Sequence, residues 1–149
     1  MPENGPYLKA ALLCENVIED KQGVLSLIRI VDRFQQTAIG PDAPADMPPF
    51  PLATNLVLMF ASGEARGSAE IALALRKPDG LSQELTTVPV LWEGEDRGAN
   101  VVLQLQLLLT MQGLYWVEVR LESEMLTRMP LRVVYGRMSL PPGAQARPP

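Results

Sequence analysis

From Val101 to Leu109 every second residue is apolar, and Gln104 and Gln106 fall between them. Side chains of a strand point alternately to its two faces, so a period of two marks a half-buried strand. The same alternation runs through Val117, Val119 and Leu121 against Glu118, Arg120 and Glu122. It returns in Ile71, Leu73 and Leu75, and in Leu131, Val133 and Tyr135 with Arg132 on the other face. After Leu75 comes Lys77-Pro78-Asp79-Gly80, whose Pro and Gly suit the second and fourth positions of a type I turn. Pro130 cannot donate to a ladder, so it predicts an edge or a bulge in the last strand.

The first third is ambiguous by periodicity. "KAALLCENVIED" and "VLSLIRIVDRF" read as two short helices if Val24, Leu27, Ile28 and Val31 are taken at helical spacing. Against that, Ile28, Ile30 and Val31 are β-branched, "EDKQG" is a compact glycine turn, and neither segment has a convincing N-cap. Strands are therefore expected. Apolar residues on both faces of the second segment predict a central strand covered on two sides.

Eight strands result: 7–19, 24–34, 53–62, 67–77, 84–93, 99–111, 114–122 and 126–136. Turns at nearly regular spacing predict an all-β fold, an antiparallel β-sandwich in one domain over residues 1–139. The proline-rich stretch from Gln35 to Leu52 is expected to cross the surface between two sheets, and residues 140–149 to form a flexible tail.

One pentapeptide is spelled twice. Gly-Glu-x-Arg-Gly begins at Gly63 and again at Gly94, each time between two strand patterns. A five-residue connection suits a hairpin loop, with a glycine at each end to permit positive φ. If the strands ran as a meander, alternate turns would share one end. Glu64, Arg66, Glu93, Glu95, Asp96, Arg97, Glu122 and Glu124 would gather there, joined by "EDKQG" if the first hairpin kept the same sense. Three readings of this cluster stand side by side: solvated turn charges, an interaction patch formed by Glu64, Arg66, Glu95, Asp96 and Arg97, or a calcium site.

Composition narrows the chemistry. The 149 residues are 47% hydrophobic and 20% charged, an ordinary globular balance able to bury roughly 70% of the unfolded surface. A net charge of −4, arginines scattered among acids and an aromatic share of 5% argue against a nucleic-acid partner. No apolar run approaches the ~20 residues of a membrane span, and the N-terminus lacks a basic signal-peptide region. The single cysteine fits a reducing, cytoplasmic setting.

Histidine is absent from the chain, which removes the Ser-His-Asp and Cys-His nucleophiles and histidine-ligated zinc. No glycine-rich phosphate loop leads from a strand into a helix. Cys14, inside a strand, reads as a small buried apolar residue, and Trp92 and Trp116 as core anchors. Met111, Met125, Met129 and Met138 read as core filling and edge decoration.

The segments "AALLCENVIEDKQGVLSLIRIVDRF", "LVLMFASGEARGSAEIALALRKPDG" and "GLYWVEVRLES" together resemble a family of small uncharacterised bacterial proteins. The resemblance spans residues 7–135 and implies an opening hairpin that leads through a proline-rich loop into a β-sandwich. That family has no assigned activity, so no site residue carries over. The closing "GLYWVEVRL…LRVVY" is similar to the last hairpin of many immunoglobulin-like modules, an analogy of fold only. The expectation is a non-enzymatic binding or assembly module without a cofactor. Its partner would be a protein, or a second copy met through edge strands. The alternative is a small-ligand or calcium-binding sandwich using the acidic end.

Overall fold

The computed structural model describes residues 4–139. Within them the chain forms nine strands and no helix: β1 (Tyr7–Glu19), β2 (Leu25–Ile30), β3 (Arg33–Ile39), β4 (Phe50–Ala61), β5 (Arg66–Arg76), β6 (Ser82–Glu93), β7 (Gly98–Leu109), β8 (Gly113–Leu121) and β9 (Glu124–Met138). They build two sheets. Sheet A has the order β2-β1-β4-β7, and sheet B has the order β3-β9-β8-β5-β6 and curls as a half-barrel. The tail expected over residues 140–149 lies outside the described residues. No helix among the described residues is long and apolar enough to cross a membrane.

The alternation seen in sequence sets the two faces. Leu56, Leu58 and Phe60 of β4 meet Ile71, Leu73 and Leu75 of β5, Leu105, Leu107 and Leu109 of β7, and Val117 and Val119 of β8 in one buried cluster. Trp92 joins it, edge-on to Phe60 with ring centroids 5.2 Å apart. Transfer of this much apolar side chain from water is the main term holding the sheets together.

Two strand expectations change. The segment read as one strand over 24–34 is two, because the chain leaves sheet A after Ile30, passes through Val31 and Asp32, and enters sheet B as β3. β2 is an edge strand rather than a covered central one. Its outward residues Ile28 and Ile30 are 41% and 57% exposed. Arg29, between them, has φ 57°, which turns the strand where it changes sheets. The fold is also not wholly antiparallel, since β3 runs parallel to β9 from Arg33↔Arg132 to Ile39↔Met138.

Prolines sit where a missing donor costs no ladder bond. Pro130 precedes Arg132, the residue at which β3 joins β9, so β9 is locally an edge there. Pro51 likewise precedes Asn55, the first residue of β4 to pair with β1. The Lys77–Gly80 turn closes as expected, the Gly80 amide donating to the Lys77 carbonyl at 2.9 Å. The proline-rich link does cross between sheets, from β3 to β4, and Met47 anchors it in the core. The phenol of Tyr135 also ties it down, donating to the Pro44 carbonyl at 2.7 Å.

Candidate functional site

The two pentapeptides are corners, but not hairpins. The first carries the chain from β4 in sheet A to β5 in sheet B, and the second from β6 in sheet B back to β7 in sheet A. Because β4 pairs with β7 and β5 with β6, the corners lie side by side, with Ala61↔Gly98 and Arg66↔Glu93 in register. Backbone bonds stitch them together: Ser62 donates to Arg97 at 2.8 Å and Asp96 to Gly63 at 3.1 Å. The repeat is thus one structural unit written in two pieces of sequence.

Its charges are largely spent on each other. Arg66 reaches Glu95 across the two copies at 3.7 Å, and Arg97 reaches Glu93 at 3.1 Å and Glu95 at 3.6 Å. Glu64 and Asp96 are exposed beside them. The guanidinium of Arg66 lies over Gly94, where an added Cβ would stand 2.9 Å from Nε. Of the glycines at the four pentapeptide ends, Gly63, Gly67 and Gly94 have positive φ and Gly98 does not, so Gly98 is not required by its backbone.

The wider acidic end does not assemble. β8 ends opposite Ile71, five residues in from Arg66, so Glu122 and Glu124 are set back along sheet B. "EDKQG" turns at the other end of sheet A, because β1 runs antiparallel to β4 and pairs Tyr7 with Ala61. Among the described residues no group of three or more carboxylate, thiol or imidazole side chains is placed to hold a metal ion.

A second surface was not anticipated. On β8, Tyr115, Val117, Val119 and Leu121 face the core, which puts Trp116, Glu118 and Arg120 on the outer face of sheet B. Arg76 of β5 and Arg128 and Arg132 of β9 have the same outward parity, and Arg33 of β3 stands beside Arg132 in the parallel register. Five of the ten arginines therefore share one face. Trp116 is accordingly not a core anchor: it is half-buried on this face, with the Arg128 guanidinium carbon 4.1 Å from its ring centroid.

Glu118 is the acid at the centre of the face. Its side chain is 3% exposed and is held by Arg76 at 3.4 Å and Arg120 at 3.8 Å. Arg33 and Arg132 have no ion-pair partner among the described residues. The signal was present in the sequence as parity, since each outer arginine is offset by one from a core residue. Only strand pairing shows that the five fall together.

A cleft of about 360 Å³ lies where β2 leaves sheet A for sheet B. Arg29, Arg33 and Glu15 edge it, and Arg29 Nε is 2.8 Å from Glu15. Cys14, nearby on β1, is fully buried, and burial pushes its thiol pKa up against a smaller opposing pull from a backbone hydrogen bond at Asn16.

Residues 9–134 match the model of a family of unknown function, DUF6941. The chain belongs to that family. A comparison with curated proteins finds no match. Among solved structures, the chain is similar to Pseudomonas fluorescens alkylpurine DNA glycosylase AlkC bound to DNA containing an abasic site analog. The identity is 9% and the TM-score 0.42, over 83% of this chain and 30% of the glycosylase. The chain thus spans under a third of that protein.

The expected exclusion of nucleic acid does not stand, because its premise fails physically. The arginines are scattered in sequence, but folding gathers five of them on one sheet face. A likeness this distant says nothing of what this chain binds.

Proposed function

We propose that the chain is a non-enzymatic binding module, and that the outer face of sheet B receives an anionic partner. The observation that carries this reading is Arg33 beside Arg132, two like charges opposite each other in a ladder without a counterion among the described residues. Such a pair costs stability in the free protein, and an incoming anion relieves it. Arg128 over Trp116 adds a flat, polarisable contact, and Arg and Trp are the side chains most often central to binding surfaces. Support for the non-catalytic part comes from the lack of histidine and from a single thiol that is buried and weakly acidic.

The finer architecture we read as immunoglobulin-like. In sheet B, β9-β8-β5 follows the last, penultimate and third strands of that fold, with β4 and β7 in the opposite sheet. Tyr115 at the start of β8, bonded back to Met111, has the form of a tyrosine corner. A lone cysteine supports a reducing compartment such as the cytoplasm.

Fluorescence anisotropy tests the binding reading with two labelled probes, a polyglutamate peptide and a single-stranded oligonucleotide. At least one should bind, more weakly as salt rises, and Arg128→Glu with Arg132→Glu should abolish it without changing the circular dichroism. If neither probe binds at low salt, or the reversed charges bind equally well, the face is not a recognition surface.

A further inference from the structure

We propose that the cleft between the sheets, at the passage from β2 to β3, is a binding site for a small organic anion with a carboxylate head and an apolar body. The cleft is about 360 Å³, within the range of small-molecule sites, which begins at roughly 300 Å³. Its lining is mixed: Val31, Phe34, Leu52 and Leu131 supply apolar surface, and Glu15, Arg29, Arg33, Gln35 and Thr54 supply polar groups.

Charge selects the ligand. Arg29 and Arg33 bring two positive charges to the cleft and Glu15 one negative, leaving one positive charge to be matched. A monoanion matches it, whereas a phosphate dianion overshoots and meets Glu15. Arg29 Nε is committed to Glu15 at 2.8 Å, which holds the guanidinium at the rim. Arg33 has no ion-pair partner among the described residues, and its planar fork fits a carboxylate through two parallel hydrogen bonds.

The backbone adds an independent observation. The other non-glycine residues with positive φ, Glu95, Asp96, Glu122 and Ser123, lie in corners or at a hairpin tip, where that conformation is ordinary. Arg29 alone among them sits inside a strand, at φ 57°. The same turn that carries the chain from sheet A to sheet B thus fixes the Arg29 backbone beside the cleft.

The proposal shares only Arg33 with the arginine face, and thermal melting with calorimetric titration tests it on the full chain. The probes are 3-phenylpropionate, its neutral amide 3-phenylpropionamide, and inorganic phosphate. The carboxylate should raise the melting point with concentration by mass action, while the amide and phosphate leave it in place. Arg33→Gln should weaken carboxylate binding at least tenfold with an unchanged circular dichroism spectrum, and Arg29→Gln should weaken it too. Arg97→Ala, at the far corner, should bind as the parent does. No shift with the carboxylate, an equal shift with the amide or phosphate, or full binding by Arg33→Gln overturns the assignment.

Discussion

Tyr115 is bonded twice to Met111, its hydroxyl donating to the Met111 carbonyl at 2.7 Å and accepting from the Met111 amide at 3.2 Å. The ring is fully buried in the core, so one side chain both fills space and closes the β7–β8 connection. The two bonds satisfy backbone groups that the end of β7 leaves unpaired.

Tyr115→Phe keeps the ring and removes both bonds. The Met111 amide and carbonyl then lose a partner at a half-buried site, at a cost of about 1–3 kcal/mol. Urea unfolding should show a lower midpoint with an unchanged slope. A midpoint equal to the parent's would mean that water replaces the hydroxyl freely.

The paired corners separate backbone from charge. Arg66 and Arg97 are 67% and 61% exposed, so changing both to alanine should shift stability by under about 1 kcal/mol. Gly63 has φ 59°, and a Cβ there would stand 2.5 Å from the Asn4 carbonyl oxygen, a backbone atom with little freedom. Gly63→Ala should therefore cost about 1–3 kcal/mol or more, whereas Gly98→Ala, with ordinary φ and open contacts, should stay within ~0.5 kcal/mol. Equal losses from the two glycine changes would contradict this account of the corner.

Strand positions were legible because burial on one face writes a period of two into the chain. Val117, Val119 and Leu121 located β8 to within a residue. What alternation cannot show is which strand lies beside which. The two pentapeptides therefore passed for hairpins, although each links different sheets. The break at Val31 and Asp32 was hidden for a related reason. β2 and β3 carry β-branched and apolar residues on either side of it, and the crossing depends on the backbone of Arg29 rather than on a glycine or proline. The arginine face failed differently. Trp116 shares parity with Glu118 and Arg120, so its outward position was readable, but aromatic size suggested the core.

Cys14 gives a pH prediction. Burial raises the folded thiol pKa, so the folded state holds the proton more tightly than the unfolded one. The resulting stability is fully present below the unfolded thiol pKa of about 8.5 and is lost as pH rises through the folded value. Stability measured relative to Cys14→Ala should thus be constant from neutral pH to about 8 and fall at higher pH. The native thiol should also resist iodoacetamide at neutral pH until the protein is unfolded. Rapid labelling of the native protein would show that the site opens far more readily than its burial implies.

Glu118 tests whether the centre of the arginine face is built or incidental. It lies on β8, a central strand, opposite Ala74 and Arg128 in register, and its side chain is almost wholly shielded. Arg76 approaches both carboxylate oxygens, with Nε 3.4 Å from Oε2 and Nη2 3.5 Å from Oε1, and Arg120 adds a longer contact. Glu118→Ala removes the acceptor and opens a gap while leaving two guanidiniums facing each other. Both arginines are more than a third exposed and can turn to water, so the loss stays below that of a fully buried broken pair. About 1–3 kcal/mol is expected. Glu118→Gln keeps the shape and one acceptor oxygen, and should cost less. Because the carboxylate is shielded, 0.5 M salt should change the Glu118→Ala loss little, whereas any contribution from the exposed corner pairs should shrink. A Glu118→Ala variant as stable as the parent would mean that the carboxylate and its arginines are solvated and fluctuating, with no fixed centre for the face.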